Sequence, residues 1–208
     1  MKKPAPSFES SELREFGEVL RGRRTINLFL QTPVPAELIR DAIEVATWAP
    51  NHHVTEPWAF YILGEQTMAA CLGLLRDIVT ANKDAKAAEF KAKSWSEKPG
   101  WLLVTCKRST ESVLQQEDLA ACNAAVQNLM LYLWKAGVGC KWITADITRD
   151  PRFFDIVGID SDNECVVGLI SYGYPKLTPS QTRRPSSEVL TELGLDPAEL
   201  AAQGVVVI

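Results

Sequence analysis

The stretch Glu117 to Ala136 constrains the fold more than any other part of this chain, because it is long, helical in period and apolar on more than one side. Leu119, Cys122, Ala125, Val126, Leu129, Met130, Leu133 and Trp134 recur every three or four residues but spread wider than a single stripe. A helix patterned in this way is buried from several directions and belongs at a domain centre or a subunit interface. Gln127 and Asn128 interrupt it. A buried amide must find hydrogen-bond partners, so the two are expected to be structural.

Shorter elements surround that helix. Ser10 or Ser11 caps a helix that runs to Gly22, with Leu13, Phe16, Val19 and Leu20 on one face. Pro35 opens a second, in which Leu38, Ile39, Ala42, Val45 and Ala46 repeat until Pro50 stops it. Trp58 to Leu63 reads as a strand and Glu65 to Ala81 as a helix, while Asp84 to Lys98 is a charged, Ala-rich helix or a mobile flap closed by Pro99. Further strands are expected at Trp101 to Cys106, Cys140 to Ala145 and Cys165 to Tyr172, with a short helix at Pro151 to Val157. A Pro- and Thr-rich loop from Tyr174 to Pro185 leads to a short helical piece at Glu188 to Leu193 and a β-branched end, Val205 to Ile208. Helices dominate and the connections are irregular, so the pattern predicts a three-layer α+β domain rather than a regular doubly wound sheet. No Gly-x-Gly-x-x-Gly follows any strand, which argues against a Rossmann dinucleotide site.

With 208 residues the chain is read as one domain, residues 1–208, with residues 1–10 as a flexible tail and 83–98 as the candidate flap. Hydrophobic residues at 46% supply a packed core, which excludes disorder. The net charge of −4, from 22 basic and 26 acidic residues, gives no footprint for nucleic acid or an anionic membrane, so neither partner is expected. Five cysteines, an odd number with no Cys-x-x-Cys pair, point to buried thiols in a reducing compartment rather than disulfides or zinc. The basic start, Met1-Lys2-Lys3-Pro4, has no apolar region after it, and no run approaches the roughly 20 apolar residues that cross a bilayer, so a soluble, cytoplasmic protein is expected.

Two Arg-bearing segments, Arg23-Arg24-Thr25 and Arg183-Arg184, stand far apart, and between them runs Ala49-Pro50-Asn51-His52-His53-Val54-Thr55-Glu56-Pro57-Trp58. Guanidinium groups from distant parts of a chain can converge on one phosphate monoester, which a chain without a Gly-rich phosphate loop would need. With Pro33-Val34-Pro35, Glu117-Asp118, Gln127-Asn128 and the run from Gly137-Val138-Gly139 to Trp142-Ile143-Thr144, these pieces resemble the nitroreductase family of flavin enzymes from Leu20 to about Arg184. The residues alone also allow solvated helix-end arginines and a Trp142 packed in the core.

The resemblance implies a mixed central sheet flanked by helices, and a homodimer with FMN at the subunit interface. Val205 to Ile208 would either exchange with the partner or pair within its own subunit. It implies NADH or NADPH as electron donor, hydride passing through flavin N5 in a ping-pong cycle, and a nitroaromatic, quinone or similar small acceptor. Arg23, Arg24 and Thr25 would hold the phosphate end of FMN, with Arg183 or Arg184 closing the other side. Asn51 and His52 would approach the flavin from the partner subunit, and Trp142, Ile143 and Thr144 would pass beside it. Asn27 stands where many relatives carry a basic residue, which implies a weaker hold on the phosphate or the pyrimidine. Glu56 replaces a usual Gln, and Ala145 a frequent Gly. No catalytic acid or nucleophile is nominated, and no metal: adjacent histidines are expected to face different directions, leaving His53 structural. Rival readings are related flavin chemistry (dehalogenation, ring oxidation or flavin breakdown), a non-catalytic flavin-binding module, and a cysteine hydrolase using His52.

Overall fold

A computed structural model of the chain describes residues 10–191 together with Leu193 and Gly194. The first nine residues and the β-branched end, Val205 to Ile208, lie outside the described residues. Helix α1 (Ser11–Gly22) starts where Ser10, in extended conformation, accepts a hydrogen bond from the Leu13 N–H at 3.1 Å, a cap that stabilises a helix by about 1 kcal/mol. Helix α2 (Ala36–Ala46) follows Pro35, and strand β1 (Trp58–Ile62) leads to α3 (Glu65–Asn82). The segment that allowed either a helix or a flap is helix α4 (Ala85–Ser96), capped by Asp84 and burying Ala88, Ala92 and Trp95. Strand β2 (Gly100–Lys107), the long helix α5 (Ser112–Lys135), β3 (Gly139–Ile143), α6 (Pro151–Val157) and β4 (Glu164–Gly173) complete the described α-helices and strands, with short 3-10 turns at His52–Val54, Asp146–Arg149 and Ser186–Glu188.

The strands are ordered β1-β2-β4-β3, every neighbour antiparallel. A parallel element enters at the β3 edge, where Thr25 bridges Cys140 and the Ile26 N–H donates to the Cys140 carbonyl at 3.0 Å. Ile26 is wholly buried, and a Cβ on Gly139 would come within 2.4 Å of it, so this junction requires glycine there.

Two cores sandwich the sheet. Ile39, Ala42 and Ala46 of α2 and Cys122, Val126, Leu129 and Leu133 of α5 pack against Leu102, Val104 and Ile170 on one face. Cys71 and Leu75 of α3, Trp95 of α4 and Phe153 of α6 cover Trp101, Leu103 and Leu169 on the other. Each fully buried leucine here contributes about 2 kcal/mol relative to exposure. A bulge between Val104 and Thr105 shifts the register, so that Val167 joins Ile170 in the α2/α5 core despite their odd separation.

Two expectations change. The stripe Gln116, Ala120, Asn123 and Gln127 lies on the outside of α5, so Gln127 is exposed rather than a buried amide, while Asn128 is half-buried. The apolar face of α1 is real, yet the helix buries no residue: Leu13, Phe16 and Leu20 are 48%, 57% and 44% exposed.

Candidate functional site

The last turn of α1 and the edge strand β3 build one corner. Arg23 follows α1, half-buried, close enough to Cys140 to work against the burial that pushes that thiol up to about 12. Arg24 does something else: its Nη1 donates to the carbonyls of Arg21 at 2.6 Å and Arg23 at 2.9 Å, satisfying helix-end acceptors. Thr25 is exposed beside Cys140, and two residues on Asn27 emerges on the same side of the extended segment.

Asn27 is where the structure adds most. Its Oδ1 accepts from Lys141 Nζ at 2.7 Å, and its carbonyl accepts from Lys98 Nζ at 3.2 Å. Two ammonium groups therefore meet on the residue whose missing charge weakened the expected grip. Lys98 is only 9% exposed; burial first and then the Lys141 charge lower its pKa, with Glu97 acting in the opposite direction. No carboxylate oxygen lies within ion-pair distance of Arg23, Lys98 or Lys141 among the described residues. Opposite Lys141 in the sheet, Ser171 buries a hydroxyl that has no hydrogen-bond partner in this structure. A cluster of cations and hydroxyls without counter-ions fits a bound phosphate or an anionic ring.

The Asn51 to Glu56 loop forms a second group. Asn51 Oδ1 accepts from the Glu56 N–H at 2.6 Å, and its Nδ2 donates to Thr55 Oγ1 at 3.1 Å. His53, Val54 and Glu56 all take positive φ, at 61°, 52° and 44°, a conformation that non-glycine residues adopt at a cost. The loop is tied to α5 twice, by Thr55 Oγ1 donating to the buried Asp118 at 2.5 Å and by His52 Nδ1 at 3.0 Å from Glu117. The positive φ at His53 also overturns the expectation that the histidines diverge: their rings stack at 3.9 Å, and ligand atoms of His52, His53 and Glu117 lie within 4.8 Å of one another.

The other expected residues separate. Trp142 turns into the α2/α5 core, where its Nε1 donates to the Val167 carbonyl at 3.1 Å and its ring lies so close to Gly168 that a Cβ there would sit 1.9 Å away. Ile143 is buried in the other core. Thr144 is exposed and lines a cleft of about 730 Å³ with Arg108 and Arg149, whose guanidinium groups already engage the Ser161 and Glu164 carbonyls and Asp146. Arg183 and Arg184 are exposed, and Arg183 donates to the adjacent Thr182 carbonyl at 3.0 Å. Within the single chain no hydrogen bond joins them to Arg23 or Thr25 among the described residues.

All five cysteines are free, four of them buried, and burial raises Cys71 to about 11. Cys106 reaches about 12, chiefly through its hydrogen bond with Cys122. Such thiols are poor nucleophiles, which disfavours the hydrolase reading.

The Nitroreductase family model matches residues 20–174, which contain both the Arg23 corner and the strained loop. This chain belongs to the nitroreductase family. The Bacillus subtilis protein YfhC is 33% identical over 183 residues, covering 85% of this chain and 93% of its own. Among solved structures, a nitroreductase-like family protein from Bacillus cereus superposes with a TM-score of 0.77 at 26% identity, over 91% of this chain and all of that one. A Desulfovibrio desulfuricans protein in complex with FMN has the same fold, with a TM-score of 0.69 at 22% identity over 87% of this chain and 98% of its own. Lys98 and Lys141 are the residues of this corner that the sequence reading missed. For Lys141 a signal existed: it stands between Cys140 and Trp142, which both face the α2/α5 core, so alternation turns it to the other face.

Proposed function

We propose that this protein is an FMN-dependent oxidoreductase that takes electrons from NADH or NADPH and passes them to a nitroaromatic, quinone or similar small acceptor. YfhC is provisionally named as an NAD(P)H nitroreductase, and the Desulfovibrio protein holds FMN on the same fold. The observation that carries the reading in this chain is the cationic corner, Arg23 with Lys98 and Lys141 around Asn27, which has no carboxylate within ion-pair distance among the described residues. Arg23 and Thr25 offer charge-assisted and hydroxyl donors to a phosphate, and Lys141 and Lys98 restore positive charge where Asn27 carries none. FMN, when bound, supplies the two-electron relay between donor and acceptor. The lysines provide a fixed positive field at its edge, of the kind that stabilises developing negative charge without reorganisation.

The working unit is a homodimer. The uncovered apolar face of α1 supports this, together with a groove of about 420 Å³ that Phe16, Val19, Leu131 and Tyr132 line between α1 and α5. In that arrangement Asn51 and His52, whose loop is already braced on α5, reach the cofactor of the partner subunit, and Arg183 or Arg184 closes its phosphate end. Donor and acceptor use one open cleft in turn, in a ping-pong cycle.

The spectrum of the purified protein tests this. A flavin absorbance that anaerobic NADH or NADPH bleaches, and that a nitroaromatic or quinone restores, is expected. Colourless protein that does not take up FMN rejects the reading, and bound flavin that neither nicotinamide bleaches leaves a binding module in its place.

A further inference from the structure

The Asn51 to Glu56 loop gathers donors of a kind that neither the cationic corner nor the two cores use. His52, His53 and Glu117 each offer one ligand atom, and these atoms lie within 4.8 Å of one another. Two elements supply them, the 3-10 turn His52–Val54 and the helix α5. The cluster is complete within one protomer.

An ion pair accounts for part of it. His52 Nδ1 lies 3.0 Å from Glu117 Oε2, but the side chains are 63% and 34% exposed, and a pair so open to water stabilises little by itself. His53 is not accounted for at all. Its ring makes no hydrogen bond among the described residues, yet the chain holds it at φ 61° and ψ 5°, which a non-glycine residue keeps only where its surroundings over-determine it. That backbone stacks its ring on His52, with centroids 3.9 Å apart and planes 26° from parallel. The loop is also firmly mounted: Thr55 Oγ1 donates to the buried Asp118, beside Glu117, at 2.5 Å, and Asn51 Oδ1 accepts from the Glu56 N–H at 2.6 Å. Such bonds set the spacing of histidines and carboxylate as outer-shell partners do around a metal.

We infer that His52, His53 and Glu117 bind one Zn²⁺ ion per protomer, with water in the fourth position, and that the ion clips the loop onto α5. The binding rests on these residues and not on the oxidoreductase reading. Two nitrogens and one oxygen suit zinc, whereas magnesium and calcium take oxygen donors. Zinc bonds of about 2.0–2.1 Å set tetrahedral donors about 3.4 Å apart. The present donors reach that spacing by closing little more than an ångström, which rotation of two exposed histidine side chains supplies. The ion takes the place of the proton between His52 Nδ1 and Glu117, and Nε2 of His52 stays available to approach the partner subunit's cofactor.

Calorimetric titration of the untagged full chain with zinc chloride, and with magnesium chloride as control, tests the inference without turnover. One zinc ion per protomer is expected, bound at least about a hundredfold more tightly than magnesium. His53→Asn removes one ligand while keeping a residue that accepts the left-handed backbone, and it should weaken zinc at least about tenfold. Glu117→Gln should do the same, and Cys165→Ala, at the one half-exposed thiol, should change nothing. Zinc should raise the melting temperature of the unaltered protein and fail to raise that of His53→Asn. Circular dichroism shows whether Glu117→Gln remains folded; if it does not, the exposed His53→Asn still decides. Absence of zinc binding overturns the proposal. So does binding that His53→Asn leaves intact, and its loss through Cys165→Ala would place the ion on a thiol instead. Failure of nicotinamide to bleach the flavin, by contrast, strikes the oxidoreductase reading alone.

Discussion

The two sides of the sheet treat apolar sequence differently. On the side of α3, α4 and α6, side chains such as Cys71, Leu75, Trp95 and Phe153 find all their partners within the chain. On the other side the inner helices α2 and α5 close a core, but α1 beyond them presents Leu13, Phe16 and Leu20 to solvent. Both sides carry the same helical periodicity. An amphipathic pattern states that a face will be covered; it does not state by which molecule.

Paired substitutions separate the two sides, the largest effect coming from the closed one. Phe153 is wholly buried on α6. Phe153→Ala should lower the unfolding free energy by about 3–5 kcal/mol in urea titrations while leaving the oligomer intact. A smaller loss would mean that this core is looser than its burial suggests. Phe16→Asp should do the reverse, leaving protomer stability nearly unchanged but raising the dimer dissociation constant about a hundredfold, the loss typical of an apolar anchor at an interface. Sedimentation velocity across a dilution series reads this directly. An unchanged dimer, or a wild-type protein that is monomeric throughout, would remove α1 from the interface.

The end of α1 offers a finer contrast between neighbours. Arg23→Ala should weaken FMN binding about tenfold or more, measured by flavin fluorescence, with the oligomer unchanged. Arg24→Ala should leave FMN affinity nearly unaltered and cost about 1 kcal/mol of stability, because its guanidinium serves the carbonyls that end the helix. Equal losses of FMN affinity from both would show that Arg24 leaves its capping role when cofactor is present.

Much of this architecture was legible because local signals agreed with the fold. Ser10 as cap, Pro151 opening α6 and the multi-sided apolar pattern of α5 each placed an element. The site was less legible because its charges are assembled by pairing across the sheet. Lys98 precedes Pro99 in a charged stretch and looks like a solvated helix end, yet the chain folds it under Phe29 and onto Asn27. Nothing local distinguishes it from Lys91 or Lys93. For Trp142 the sequence allowed a side chain packed in the core on a strand beside the cofactor, and the bare side of Gly168 receives its ring within that core. The stacked histidines depend on a positive φ at a non-glycine residue, which sequence does not announce.

The smallest effect concerns thiols buried in both cores, which distinguish neither face and so report on the protomer alone. Cys71, Cys106 and Cys140 have pKa values raised from about 9 to about 11, 12 and 12. Because the folded-state values lie above the unfolded ones, their contribution is fully present below about pH 9, where both states keep the proton. It is lost as pH rises through 9 toward 12, since the unfolded chain ionises first. From about pH 8 to about pH 9 the three together should cost about 1 kcal/mol. Lys98 acts in the opposite direction, its lowered pKa easing as pH climbs and the folded form sheds its proton first. Urea titrations at the two pH values should therefore show a modest fall in stability that Cys106→Ala makes smaller. A slope unchanged by that substitution would mean that Cys106 ionises as readily in the folded protein as in the unfolded chain.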